Sequence, residues 1–190
     1  MYKILLIIGL AIGAASACDR PQQAVEKSAE EDYLYEFSKF NLAPYGLKAT
    51  IMLPDETANI GASTQPEILH QEDGFKWEVM VGPNFQFIID DYGEVKDKIN
   101  EKKAALKDLD IFDIRYLVEE RDLLVYEATL KVTGEKSSPI THNKQHISYH
   151  VYAQKVIDGY TYIFRSREEG YPKNIVDIMT KSFRSVEEVK

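Results

Sequence analysis

The spacing of hydrophobic residues along this chain changes several times, and each change predicts an element. From Tyr45 to Leu53, the residues Leu47, Ala49, Ile51 and Leu53 alternate with more polar neighbours. That is the period of a half-buried strand, and Pro54-Asp55 ends it. Lys76 to Val81 and Phe85 to Asp91 read as two further strands, joined by Gly82-Pro83-Asn84, which has turn chemistry. Between Gly93 and Asp110 the period becomes helical, with Val95, Ile99, Leu106 and Leu109 on one stripe among Lys and Glu residues. A helix here covers the sheet. Asp113 to Glu119 and Leu123 to Val132 are strands around a short Glu120 to Asp122 turn.

Two alternating runs from Ile147 to Ser166 flank Asp158-Gly159, a strong signal for a two-residue hairpin turn. Pairing around that turn sets Ala153 against Phe164 and Lys155 against Tyr162 on one face. The opposite, more polar face pairs Tyr152 with Arg165 and His150 with Arg167. Pro172 then starts a helix whose Ile175, Val176, Met179 and Phe183 are spaced to pack on the sheet. Leu34, Phe37 and Phe40, three residues apart, predict a short helix before the Pro44 and Gly46 break. Glu56 to Asp73 and Gly134 to Asn143 read as exposed loops, rich in small and polar residues.

Strands that follow one another through short turns, with one helix in mid-chain and one at the end, predict an α+β fold. The expected sheet is mostly antiparallel, of about six or seven strands flanked by helices. From about Leu42 to Ser185 the element order, with the pieces YGLKATIMLP, VGPNFQFII, IDGYTYIF and IVDIMTKSF, resembles the PsbP/Mog1-like α/β/α sandwich. The resemblance implies an accessory, non-enzymatic interaction module. No residue that those proteins use on their partners is matched here.

The N-terminus has a different character. Met1 to Lys3 gives a positive start, Ile4 to Ala14 is apolar, and Ala15-Ser16-Ala17 supplies small residues before Cys18, the single cysteine. This is the pattern of a secretory signal peptide over residues 1–17. The run is shorter than the ~20 apolar residues that a membrane-spanning helix needs. Small residues directly before a cysteine also resemble the lipobox of bacterial lipoproteins, with Ala15 where leucine is commonest. That resemblance implies a lipidated Cys18 and a protein held at the membrane, facing the periplasm or the cell exterior. The alternative is ordinary cleavage after Ala17, leaving a free thiol. Asp19 to Asp32 is polar and charged and reads as a tether, so residues 18–32 form the anchor and residues 33–190 a single domain.

Composition narrows the partners. The formal net charge is −8, and loss of Lys3 with the signal segment takes it to −9. Such a field repels phosphate backbones and anionic lipid surfaces, which argues against nucleic-acid binding and leaves a lipid as the membrane attachment. With no cysteine pair, the domain relies on its core, and 12 Tyr, 8 Phe and 1 Trp predict an aromatic one.

Chemistry-bearing motifs are few. His142, His146 and His150 recur every four residues, but on a strand His146 and His150 lie ~13 Å apart, too far to share a metal. Asp90-Asp91 and Glu119-Glu120 are strand neighbours that point to opposite faces, and they read as strand-end charges rather than an acid–base pair. No nucleophile elbow or phosphate-cradling glycine motif occurs, so neither a catalytic residue nor a cofactor is assigned. The group Tyr152, Arg165, His150 and Arg167 is the candidate partner surface, since Tyr and Arg are enriched at binding hot spots. The chain therefore reads as a lipid-anchored exported binding or assembly module with a protein partner. The alternatives are a small exported hydrolase with a composite site and a membrane-anchored protective (immunity) protein.

Overall fold

Alternating burial along the hairpin strands generates the architecture. In the computed structural model, residues 36–62, 65–71, 75–94, 96–131 and 146–189 are described. Cys18 with its flanks, Val95, His142 and the Gly134 to Asn143 loop lie outside them. The strands are β1 (Phe37–Asn41), β2 (Ala49–Pro54), β3 (Glu67–Gln71), β4 (Lys76–Met80), β5 (Gln86–Asp91), β6 (Phe112–Glu119), β7 (Leu123–Leu130), β8 (Ile147–Ile157), β9 (Tyr160–Ser166) and β10 (Glu187–Glu188). The helices are α1 (Lys98–Lys107) and α2 (Lys173–Arg184).

Seven strands form one sheet in the order β3-β4-β5-β9-β8-β7-β6, and β1-β2-β10 form a second. Every pairing is antiparallel. The fold is thus α+β, built mainly of antiparallel sheet. At the centre, Asp158 and Gly159 both have positive φ (52° and 81°), the twist that a two-residue hairpin turn requires. Their register pairs Ala153 with Phe164, Lys155 with Tyr162 and Tyr152 with Arg165, as the alternation predicts.

One face of the large sheet carries Phe87, Ile89, Leu123, Val125, Val151, Ala153, Tyr162 and Phe164. The terminal helix α2 packs against it through Ile175, Val176, Met179 and Phe183, with Leu47, Ala49, Ile51 and Leu53 closing the far side. Phe183 lies between Phe87 (ring centroids 5.1 Å) and Phe164 (5.7 Å), so the core is aromatic at its centre. The other, outer face is the one that α1 crosses.

Two expectations need correction. Residues Phe37–Asn41 are a strand, not a helix: Phe37 pairs with Pro54 and Phe40 with Ile51. A three-residue spacing does not distinguish the two states when the stabilising partner, β2, is distant in sequence. Leu34 lies outside the described residues. The expected Glu56 to Asp73 loop holds a one-turn helix, Glu56–Ala58, and the edge strand β3. With a neighbour on one side only, β3 is largely exposed and lacks the alternation that marks a strand. It is fixed instead by its ladder with β4, where His70 stacks on Trp77 at 4.5 Å.

Candidate functional site

The outer face is built by register. Across β7 and β8, Leu124 pairs with Tyr152, Tyr126 with His150 and Ala128 with Ser148, and β9 adds Arg165 beside Tyr152. The chain leaves β5, crosses this face as α1 and enters the edge strand β6. Asp97 caps the helix by accepting from the Asn100 amide, and the Lys98 amide donates to Gln154 Oε1 on β8 at 2.8 Å. Only two side chains of α1 are buried. Ile99 packs with Leu124, Tyr152 and Ile163, and Leu106 packs with Tyr126 and Ala128. Leu109, expected on the same stripe, lies past the helix end and is exposed.

Between those two anchors the stripe position is Lys102, three residues after Ile99 and four before Leu106. A lysine there cannot close the contact as an apolar residue would, and the helix stands over a cleft of about 630 Å³. Tyr152, Arg165, His150 and Arg167 all line it, with Lys102, Tyr92 and Tyr126. Leu106, Phe112, Ile114 and Ala128 make its apolar end, and Glu168 and Glu169 stand in its wall. The four candidate residues are therefore brought together, but as the walls of a cleft. His150 and Tyr152 are each only 8% exposed, so they do not form a flat contact surface, while Arg165 is half-buried and Arg167 exposed.

Each polar group has a defined state. His150 stacks on Tyr126 (4.8 Å, 10° between planes), and its Nε2 lies 2.9 Å from Ser148 Oγ. Burial first, and then the Lys102 charge, push the imidazole down to about 4, so it is neutral near pH 7. Burial likewise raises the Tyr126 and Tyr152 phenols far above their ordinary value. Arg165 Nε donates to Asp90 Oδ2 at 2.6 Å. Asp90 is thus a partner of the cleft wall rather than a plain strand-end charge. Arg167 donates to Gln86 Oε1 at 2.9 Å and has Glu169 at 3.5 Å.

Lys102 differs from these. Its ammonium lies 5.9 Å from the Tyr126 ring centroid and 5.7 Å from that of Tyr152. No ion pair among the described residues takes it in. Burial, and after it the Arg165 charge, lower its pKa, with Glu168 opposing. Sequence reading missed this residue. The signal was present, because a lysine at i+3 and i−4 from two apolar stripe positions must point at the sheet.

The rim is closed by residues 167–171. Tyr149 and Tyr171 bridge backbone to backbone, and the Tyr171 hydroxyl donates to the Gln86 carbonyl at 2.8 Å. Gly170 (φ +73°) passes so close that a Cβ would lie 2.7 Å from His150 Cε1 and 2.8 Å from both its Nε2 and Ser148 Cβ. His146, at the mouth, is exposed. Among the described residues no three His, Cys, Asp or Glu side chains converge as metal ligands, and no helix is long and apolar enough to cross a membrane.

No protein-family model matches the chain, and no curated protein matches it.

Proposed function

We propose that this chain is an exported bacterial lipoprotein, acylated on Cys18, whose PsbP/Mog1-like domain is a binding module that takes its ligand or partner segment into the cleft under α1. The observation that carries the reading is the cleft itself. At about 630 Å³ it falls within the range of small-molecule sites, roughly 300–1,000 Å³, and its lining of apolar and aromatic walls with a few charged groups of both signs is what such sites use. The anchor rests on the Met1 to Cys18 pattern.

A photo-crosslinking side chain at Leu109, beside the cleft, tests the module in intact cells. Adducts should form there, should not form from Val189, which is exposed elsewhere, and should fall when Arg165 and Arg167 are both changed to Ala in a folded domain. Equal adducts from both positions, or adducts indifferent to the arginines, contradict the reading. Labelled fatty acid incorporated by the wild type and lost in Cys18→Ala tests the anchor separately.

The hydrolase reading has one observation in its favour, the Ser148–His150 pair at 2.9 Å. Two features weigh against it. An imidazole pushed to about 4 is a weak base near neutrality, and the Gly170 backbone sits over the pair.

A further inference from the structure

Lys102 is an unusual choice for its place. The helix needs an apolar side chain between Ile99 and Leu106 to seal against the sheet, and it carries an ammonium instead. A half-buried cation forfeits hydration, and two ring faces return only part of it. The other cationic groups of the cleft have partners: Arg165 has Asp90, and Arg167 has Gln86 and Glu169. Glu168 in the cleft wall acts on Lys102 through its charge but forms no ion pair with it. What the ammonium faces is the cleft.

Taking the cleft as the ligand site, we propose that it holds a small carboxylic acid, with its carboxylate on the Lys102 ammonium between the Tyr126 and Tyr152 rings and its apolar body along Leu106, Phe112 and Ile114. The two ends of the cleft divide the ligand. The cationic end offers Lys102 as an ammonium donor with Arg165 beside it, and a carboxylate there makes a charge-assisted hydrogen bond in surroundings that have lost much of their water. The far end has Leu106, Leu109, Phe112, Ile114 and Ala128, which suit an alkyl or aryl chain, with the Ser148 and His146 side chains at its β8 edge. Tyr126 and Tyr152 remain protonated, so neither phenol competes as an anion. His150, neutral near pH 7, adds no charge of its own. The charge selectivity of the cleft therefore rests on Lys102.

Isothermal titration of the full chain with octanoate and 3-phenylpropanoate, each against its own primary amide, tests this. At least one acid should saturate a single site and bind roughly tenfold or more tightly than its amide, the discrimination expected of one charge-assisted hydrogen bond. Lys102→Met keeps an unbranched side chain of nearly the same volume while removing the charge, and should bring the acid down to the affinity of the amide. Lys102→Arg should retain the preference, and Glu168→Gln should strengthen acid binding. Circular dichroism of each variant verifies the fold. Acid and amide binding equally well, or a preference that survives in Lys102→Met, would overturn the carboxylate assignment while leaving the cleft a ligand site. Failure of both acids to bind would overturn the assignment too, and the Leu109 adducts would then show whether the cleft reading stands without it.

Discussion

Gly170→Ala puts the closure of the cleft rim to a quantitative test. The new methyl would sit 2.7 Å from His150 Cε1 and 2.8 Å from Nε2 and Ser148 Cβ, closer than carbon atoms approach without displacement. The imidazole has little room to retreat, since Tyr126 is stacked behind it and Ser148 holds its Nε2. Overpacking of this kind costs about 1–3 kcal/mol. The backbone adds to it, because φ is +73° at this position and the left-handed region costs a residue with a Cβ roughly 1–2 kcal/mol. The sum is a loss of roughly 2–5 kcal/mol. Urea unfolding followed by the fluorescence of Trp77, the one tryptophan and a buried one, reads this as a fall in midpoint of about 1–2 M. The steric share is separable from the backbone share. In the His150→Ala background the two ring contacts are gone and only Ser148 Cβ stays close, so the added cost of Gly170→Ala should shrink by most of the steric part, giving a coupling of about 1–3 kcal/mol. A loss under about 0.5 kcal/mol, or strict additivity of the two changes, would refute the packing argument.

Three further outcomes follow from the same geometry. Phe183→Ala, which empties the centre of the aromatic core beside Phe87 and Phe164, should lower stability by about 3–5 kcal/mol in the same urea assay. Asp90→Asn removes the charged acceptor of the half-buried Arg165 and should cost about 1–3 kcal/mol, and a double change to Asp90→Asn with Arg165→Met should recover part of it. His150 gives a pH signature: its folded pKa of about 4 lies below the ordinary 6.5, so between those values the unfolded chain binds a proton that the folded chain refuses. Stability contributed by the neutral ring is full above pH 6.5 and falls as pH drops to about 4, by on the order of 3 kcal/mol, and His150→Phe should flatten that part of the profile.

How far the sequence could be read depended on where the stabilising partner lay. The β8–β9 hairpin was legible to its register because both the turn residues and the alternation are local, and α2 was legible because its whole apolar stripe lies in one helix. The edge strands β1 and β3 were not, since one-sided pairing leaves little apolar pattern. Tyr152, Arg165, His150 and Arg167 were singled out from that register as one face, and all four line the same cleft. That the face is a cleft depends on α1 crossing it and on Gly170 returning to cover His150. Both are long-range events with no local signature. Lys102 lies between these cases, visible as a charge on an apolar stripe yet meaningful only once the helix is docked.

Nuclear magnetic resonance mapping of the chain titrated with 3-phenylpropanoate, with side-chain signals of lysine and tyrosine resolved, tests the central claim most directly. The account predicts saturable shifts at Lys102, Tyr126, His150, Tyr152 and Arg165, together with the apolar end at Leu106 and Ile114. Shifts gathered instead on the β3 edge or the exposed tip at Asp158 and Tyr160, with the α1 cleft silent, would contradict it.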